Sequence, residues 1–349
     1  MSLRPALRCL LTLAMLTSLL SCGGGDGGTT GGTTGGTNQA GGGIGGTGIT
    51  SGPITAFGSI WVNGREIFLD DNTSVVVNGV SGLTQDDLAL GDIVRVVFNT
   101  DASTGRDIAV EVAADDAVAG AIESIDVATS TITVLGQTIV VDNLMPTWGS
   151  VVWEDDEQGG YNELDLANLS LGNLVEVYGQ VDGDGTIHAT RIERQATSGA
   201  GATVDVKGTV TDLDNVARTF TLGELTVDFS GVTQVDGTLV DGAYVEVIGT
   251  QPADGLLAAT TVDVKDPNPT SGGEEGLGVE VDGFITYFNS PTDFRVDGAA
   301  VTTTEATVFT GGVAANLAEG VKVEVEGHLN STGITVADEI AFGSGESED

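Results

Sequence analysis

The sequence predicts an all-β protein in which four small five-stranded OB-like barrels follow a disordered Gly- and Thr-rich linker. Two observations carry this prediction. Valine and isoleucine alternate with threonine and acidic residues in short runs, as expected of strands that bury one face. The chain also has 53 glycines and few apolar stripes of helical length, which is typical of a protein with many tight turns.

A fourfold repeat after residue 49 divides the chain into domains. Each copy has a glycine just before a valine-rich run, and these marker glycines are Gly91, Gly172, Gly242 and Gly320. They lie 81, 70 and 78 residues apart, a period that is too long for a solenoid and suits a small independent domain. The predicted repeats are residues 49–117, 118–197, 203–266 and 278–342, and an acidic tail follows at 343–349.

The order of elements inside each copy predicts the barrel. Three strands are followed by a short turn or helical piece and then by two more strands, which is the order of an OB-fold. The marker glycine is expected to begin the fourth strand with a tight bend. An alternative is a sandwich-like stack in which copies share sheet edges. Because a unit of about 70 residues buries only a modest core, packing between copies is expected in either case.

Residues 1–21 have the pattern of a secretory signal peptide. Arg4 and Arg8 precede an apolar stretch that ends at Leu20 and is too short for a spanning helix, which needs about 20 apolar residues. Residues 19–22, with the sequence Leu-Leu-Ser-Cys, resemble the lipobox of bacterial lipoproteins. That resemblance implies cleavage before Cys22 and lipidation of its thiol. The alternative is an ordinary signal peptide with a chance cysteine.

The lipobox resemblance also implies a location. Gly23, rather than aspartate, follows the cysteine, which favours the outer membrane, with the barrels facing either the periplasm or the exterior. Residues 22–48 form the predicted tether, because they show no apolar periodicity and consist mostly of glycine and threonine. Such a linker has an r.m.s. reach of about 28 Å. Since Cys9 leaves with the signal peptide, no thiol remains for a disulfide or a Cys-based site.

The charge of the chain excludes some partner classes. Loss of the leader would change the formal net charge from −39 to −41, which repels nucleic acids and anionic lipid surfaces. We therefore expect no nucleic-acid partner. Glycans, proteins and divalent cations stay open as partners, and membrane contact is expected through the lipid anchor. The alternative explanation of the acidity is solubility alone.

The best candidate binding site is an insertion in the second repeat, at residues 143–169, which we predict to be a long loop. Long loops on a rigid scaffold commonly carry function. Aromatic rings there can stack on a sugar or a protein ring, and the carboxylates can bind hydroxyls or a cation. The alternative is that the loop folds its tryptophans back over the end of a barrel. The candidate ligand-binding residues are Trp148, Trp153, Glu154, Asp155, Asp156 and Tyr161.

The remaining polar motifs give weaker signals. Asp182 and Asp184 are weak metal candidates, because their spacing suggests a calcium loop but the position of its bidentate Glu is occupied by Arg191. An Asp-Gly step between two strands instead predicts a hairpin turn. The two histidines, His188 and His328, are interpreted as surface strand residues. With no recognisable catalytic constellation and no cofactor motif, the sequence predicts a protein that is not an enzyme.

Recurring motifs link the chain to a known family. A glycine followed by a valine-rich strand occurs at residues 171–179 and 319–327, and a closing strand that ends in Ile-Glu occurs at residues 186–193. These patterns resemble the domain-of-unknown-function 5666 family of bacterial exported proteins and lipoproteins. The resemblance covers residues 50–342, and it implies an OB-like barrel and no assigned activity.

Together these observations predict an outer-membrane-anchored lipoprotein with a non-enzymatic binding or scaffolding role in the cell envelope. The alternative is a glycan- or cation-dependent adhesion module that uses residues 143–169. An envelope hydrolase is the third and least supported function, since sequence spacing alone does not identify a pair of catalytic carboxylates.

Overall fold

The computed structural model describes residues 47–141, 151–155, 161–164, 166–196, 198–252 and 255–343. The predicted signal peptide, Cys22 and nearly all of the tether lie outside the described residues, as does the acidic tail after residue 343. Within the described ranges the helical segments are three short 3₁₀ helices, at Gln85–Asp87, Leu166–Asn168 and Ala314–Asn316. In this part of the chain, no helix has the length and apolar character needed to cross a membrane.

Barrel 1 has seven strands, five of which pair in a closed ring. Its strands are β1 (Thr47–Ala56), β2 (Ile60–Val62), β3 (Arg65–Phe68), β4 (Ser74–Val77), β5 (Val80–Leu83), β6 (Ile93–Thr100) and β7 (Asp107–Ala114). Strand β1 pairs antiparallel with β2 and β6, β2 pairs with β3, and β3 pairs parallel with β7. The ring closes because β6 and β7 are antiparallel neighbours. Strand β4 pairs parallel with the second half of β7, and β5 forms a hairpin with β4.

Barrel 2 repeats this arrangement. Its strands are β8 (Val118–Asp126), β9 (Thr131–Val134), β10 (Gln137–Val140), β11 (Val151–Asp155), β12 (Tyr161–Leu164), β13 (Leu174–Val181) and β14 (Ile187–Ala196). The ring runs through β8, β9, β10, β14 and β13 and returns to β8. Strand β11 pairs parallel with β14 and antiparallel with β12, as β4 pairs with β7 and β5 in barrel 1.

Barrel 3 has its first strand in two pieces on either side of Val210. Its strands are β15 (Thr203–Thr209), β16 (Thr211–Asp214), β17 (Thr219–Leu222), β18 (Leu225–Asp228), β19 (Tyr244–Thr250) and β20 (Leu256–Val264). Strand β15 pairs with β19, and β16 pairs with β17. Because β18 then pairs parallel with β20, and β20 pairs with β19, the connectivity is the same as in barrels 1 and 2.

Barrel 4 has the same connectivity. Its strands are β21 (Gly278–Ser290), β22 (Asp293–Val296), β23 (Ala299–Thr302), β24 (Val308–Thr310), β25 (Lys322–Leu329) and β26 (Thr335–Phe342). The ring runs through β21, β22, β23, β26 and β25. The prediction of four tandem five-stranded OB-like barrels is therefore confirmed.

The marker glycines form the predicted bend in every barrel. Their backbone φ angles are +85°, +82°, +86° and +78°, in the left-handed region that glycine adopts without a steric cost. Each glycine N–H donates a hydrogen bond of 2.8 to 2.9 Å to a carbonyl of the first strand. The four accepting residues are Ile54, Ile122, Val210 and Ile285. The bend therefore joins the start of the fourth strand to the first.

The four barrels are combined in pairs. Barrels 2 and 3 share one sheet, because β8 pairs antiparallel with β15. Barrels 1 and 4 share another, because β1 pairs parallel with β21 over four residues. Neighbouring barrels therefore share sheet edges, which is the feature predicted by the sandwich-like alternative.

The apolar cores follow a different grouping from the sheets. Barrels 2 and 3 have a single continuous core, in which Leu135 of barrel 2 and Leu225 of barrel 3 are both buried. Barrels 1 and 4 each have a core of their own, built around Phe98 and Phe294 respectively. Barrels 2 and 3 are therefore joined by apolar packing, and the junctions of barrels 1 and 4 depend on other contacts.

Candidate functional site

The insertion that the sequence presents as a loop contains a β-hairpin. Strands β11 and β12 place Trp153 opposite Glu163, and Asp155 opposite Tyr161. Strand β12 lies at the free edge of its sheet. The structure thus brings Trp153, Glu154, Asp155 and Tyr161 onto one hairpin, and Trp148 and Asp156 lie outside the described residues. The sequence Val-Val-Trp at residues 151–153 has high strand propensity, but the acidic run that follows it has low strand propensity and led to the prediction of a loop.

A shallow groove of about 510 Å³ lies on barrel 2, beside the 3₁₀ helix that follows the hairpin in sequence. Its apolar lining includes Val127 and Leu171, residues that are 58% and 65% exposed. The 3₁₀ helix Leu166–Asn168, which directly follows the hairpin segment, supplies one wall through Leu166. The groove offers an apolar surface to a ring or an aliphatic chain.

The two weak metal candidates lie in the turn between β13 and β14. One carboxylate oxygen of Asp182 accepts backbone hydrogen bonds from Asp184 at 3.0 Å and from Thr186 at 2.9 Å, and the other lies 3.2 Å from Nε2 of His188. Asp184 itself is exposed. Because its oxygens bind the turn, the Asp182 carboxylate has the contacts that the hairpin interpretation predicts.

His188 is not a surface residue, so that interpretation of it is wrong. Its side chain is 18% exposed, and its ring stacks on Phe284 of barrel 4 with 4.3 Å between ring centroids. Next to it, Gln180 donates hydrogen bonds to the carbonyl and carboxylate of Asp282 at 2.7 and 2.8 Å. These residues join barrel 2 to barrel 4. Strand alternation alone does not reveal a neighbouring barrel, and no other pattern near these residues indicates this contact.

Four of the ten basic residues after Cys22 lie at contacts between repeats or their linkers, which is the feature that the sequence interpretation missed. Arg65 reaches barrel 4, Arg191 reaches barrel 1, and Lys207 reaches the segment between barrels 1 and 2. Arg95 donates to backbone carbonyls of the segment that precedes barrel 4. The available signal was the rarity of lysine and arginine in so acidic a chain, since a buried carboxylate needs a positive or hydrogen-bonding partner.

The junction between barrels 1 and 2 is polar. Nη1 of Arg191 lies 2.9 Å from the carboxylate of Asp92, and both side chains are almost fully buried. Nearby, Nδ2 of Asn78 donates to Glu176 at 2.6 Å, and Oδ1 of Asn78 accepts from the backbone N–H of Asp116 at 2.8 Å. Burial raises the pKa of Glu176, and the charge of Asp116 adds to the effect, whereas Arg191 opposes it.

Lys207 joins barrel 3 to the segment between barrels 1 and 2, just before the first strand of barrel 2. Its ammonium lies 2.6 Å from Asp116, 3.4 Å from Asp205 and 3.5 Å from Glu246. Burial opposes the charge on Lys207, but the three carboxylates outweigh it and raise its pKa well above the ordinary value. Burial also disfavours the charge on Glu246, yet Lys207 and Lys265 lower the pKa of that carboxyl to about 2. The cation and the acid therefore stay ionised at neutral pH.

The junction between barrels 1 and 4 centres on Arg65. Its guanidinium lies 2.7 Å from Asp107 and 3.0 Å from Glu280. Oxygens of Glu280, Glu324 and Glu326 lie within 4.8 Å of one another, a spacing at which carboxylates can hold a cation. The Arg65 guanidinium supplies positive charge at this point, so we assign no metal ion to the cluster.

Comparison with known proteins identifies the family. A family described as a domain of unknown function (DUF5666) matches residues 49–113, 119–193, 207–263 and 279–341. Each match lies within one barrel. A search of curated proteins finds no match to the chain. Because the four matches cover most of the sequence, and each coincides with one barrel of the same connectivity, the chain belongs to the DUF5666 family of domains of unknown function.

Proposed function

We propose that this protein is an exported scaffold, lipid-anchored at the outer membrane, that binds partners and catalyses no reaction. One observation carries the proposal: four of the ten basic residues after Cys22 lie in contacts between repeats or their linkers. Charged groups at these positions hold barrels together. The surface that remains is dominated by carboxylates, which suits display and binding in the cell envelope.

The acidic surface of the protein excludes some classes of partner. An acidic surface repels phosphate polymers and anionic lipid, so attachment to the membrane depends on the lipid at Cys22. Proteins with basic surfaces, neutral glycans and divalent cations are the remaining partner classes. The shared core of barrels 2 and 3 supports a fixed presentation of any binding surface on these two domains.

Membrane fractionation of cells that express the full-length chain tests the anchor. We expect the wild-type protein in the outer-membrane fraction and the Cys22→Ser variant in the soluble fraction. Cys9→Ser is the matched control, because that residue lies in the predicted leader and its loss leaves the anchor intact. Retention of Cys22→Ser in the membrane would overturn the anchoring proposal.

Incubation of the purified protein with peptidoglycan and with a panel of polysaccharides tests the absence of catalysis. We expect no soluble product above a buffer control, with or without added calcium. Reproducible turnover of any of these substrates would contradict the non-enzymatic role.

The second candidate function is glycan- or cation-dependent adhesion through the β11–β12 hairpin. It is favoured by the position of β12 at a free sheet edge, with Trp153 and Tyr161 on the hairpin. A glycan array with and without calcium is expected to give a signal that Trp153→Ala and Tyr161→Ala remove. Trp61→Ala is the control, since Trp61 is 36% exposed on barrel 1. An array without any signal for the wild type would eliminate this function.

A further inference from the structure

The groove on barrel 2 has an aliphatic lining that is open to solvent. Ile125, Leu166 and Leu169 contribute to it. Val127 and Leu171 belong to the same lining and are among the most exposed large apolar residues of the described chain. Apolar side chains that share one concave surface and stay exposed are typical of a surface that a partner covers.

Leu171 differs from its counterparts in the other barrels. It directly precedes the marker glycine, where barrels 1, 3 and 4 have Leu90, Asp241 and Glu319. Leu90 is partly buried and packs against the core of its own barrel. The carboxylate of Asp241 accepts a hydrogen bond of 2.9 Å from the backbone N–H of Leu213, in the first strand of barrel 3. Glu319 lies against barrel 2. In these three barrels the side chain has an intramolecular contact, whereas in barrel 2 it lines an open groove.

The charge at the groove is negative. Within the described part of the chain, its lining has one charged side chain, that of Glu123. Oε2 of Glu123 accepts a hydrogen bond of 3.0 Å from the backbone N–H of Gly136, which holds the carboxylate in place. In the sequence, residues 107–190 contain 16 aspartates and glutamates and no lysine or arginine. A partner that approaches barrel 2 is therefore attracted if it is basic and repelled if it is acidic.

The same lining disfavours other classes of partner. Among the described residues that form the groove there is no aromatic ring on which a sugar could stack. Anionic lipids and nucleic acids carry the same sign of charge as Glu123. The remaining chemistry that matches both the aliphatic lining and the negative charge is a peptide with aliphatic and basic side chains.

We propose that this groove is a docking site for a cationic amphipathic peptide segment of a partner protein. Aliphatic side chains of the segment cover Val127 and Leu171, and its lysine or arginine side chains face Glu123. The docking site rests on the binding role proposed above, and it specifies the surface and the chemistry of the partner. Burial of aliphatic side chains supplies most of the affinity, and the charge of barrel 2 selects against acidic segments.

Fluorescence anisotropy of labelled peptides with the purified full chain tests the docking site. The probe is the cationic peptide KLAKLAKKLAKLAK, and two probes of the same length have serine in place of its leucines or glutamate in place of its lysines. We expect the leucine peptide to bind at least about tenfold more tightly than the serine peptide, and the glutamate peptide not to bind. Equal affinities for the leucine and serine peptides would overturn the proposal, because the attraction would then depend on charge alone.

Variants of the groove locate the binding. Leu171→Ser and Val127→Ser are each expected to weaken binding of the leucine peptide by about tenfold and to leave binding of the serine peptide unchanged. Val216→Ser is the matched control with wild-type affinity, because Val216 lies in the equivalent turn of barrel 3 and is 95% exposed. Circular dichroism verifies that each variant folds, and either of the two groove variants suffices for the test. Wild-type affinity in a folded groove variant would place the peptide elsewhere and contradict the proposal.

A charge variant tests the polar part of the site. Glu123→Gln keeps an acceptor for the N–H of Gly136 and removes the charge, so we expect about threefold weaker binding of the leucine peptide at low salt. Glu305→Gln is the control, because Glu305 is an exposed residue of barrel 4, and it is expected to keep the wild-type affinity. Equal affinities of the two variants would contradict the role of Glu123. These measurements are independent of membrane fractionation and of the turnover assay, so a failure of the docking site is distinguishable from a failure of the anchored, non-enzymatic role.

Discussion

Replacement of Lys207 by methionine is expected to loosen the attachment of barrel 3 to barrel 2. The variant keeps the apolar stem of the side chain and removes the ammonium that lies within 3.5 Å of Asp116, Asp205 and Glu246. The side chains of Lys207 and Asp116 are 8% and 3% exposed, so water does not replace the lost charge. Loss of one partner from a buried ion pair costs about 3–5 kcal/mol.

Hydrogen exchange at β15 and β19 measures this effect without the assumption that all four barrels unfold together. At pH 7.5 we expect protection of these strands to fall by more than about a hundredfold, since each 1.4 kcal/mol corresponds to about a factor of ten. The loss becomes smaller at pH 5, because carboxyl groups without their cation take up protons and so lose their repulsion.

Lys265→Met is the matched control for this prediction. Lys265 pairs with the same Glu246 at 2.6 Å, but its side chain is 43% exposed. An ion pair that is open to solvent contributes at most about 1 kcal/mol. If Lys207→Met and Lys265→Met reduced protection by the same amount, the reasoning from burial would be refuted.

Three further predictions concern the junctions and turns. In the wild type, Nδ2 of Asn78 donates to Glu176 at 2.6 Å. Asn78→Asp replaces this donor with a carboxylate oxygen and is expected to destabilise the junction of barrels 1 and 2 by about 1–3 kcal/mol in thermal unfolding. Gly242→Ala costs about 1–2 kcal/mol from its positive φ alone. Gly91→Ala is expected to lower the stability more than Gly242→Ala, because the Cβ at position 91 would lie 2.6 Å from a backbone oxygen of barrel 2. Equal melting temperatures for the two variants would exclude this steric cost. Burial and a neighbouring carboxylate raise the pKa of Asp297 to about 6, so Asp297→Asn is expected to raise the melting temperature at pH 7.5 and leave it unchanged at pH 4.

The barrels were predictable because their signals are local. Alternating side chains predict a strand from its own residues, and Gly172 marks the bend before the fourth strand without reference to the rest of the fold. Four copies of the same pattern then reinforced the assignment. The hairpin at residues 151–164 was predicted as loop, since its acidic residues have low strand propensity and its pairing with β14 involves residues about 40 positions away.

The contacts between barrels were not predictable in the same way. Arg65 and Glu280 are 215 residues apart, and neither is distinguished by its neighbours in the sequence. His188 occupies an ordinary strand position, and only the presence of Phe284 from another barrel places it in a contact. The candidate residues of the insertion and the lipidation of Cys22 stay predictions that the experiments above address.

The sequence by itself determined the five strands of each barrel, the bends and the number of barrels, because hydrophobic alternation and glycine conformations act over a few residues. Only the tertiary structure decided that barrel 1 pairs with barrel 4 and barrel 2 with barrel 3, and that Arg65, Arg191 and Lys207 hold the junctions. The physical reason is that edge pairing and ion pairing act between surfaces that meet only after each barrel has formed. The sequence of one barrel does not indicate which surface of another barrel it will contact.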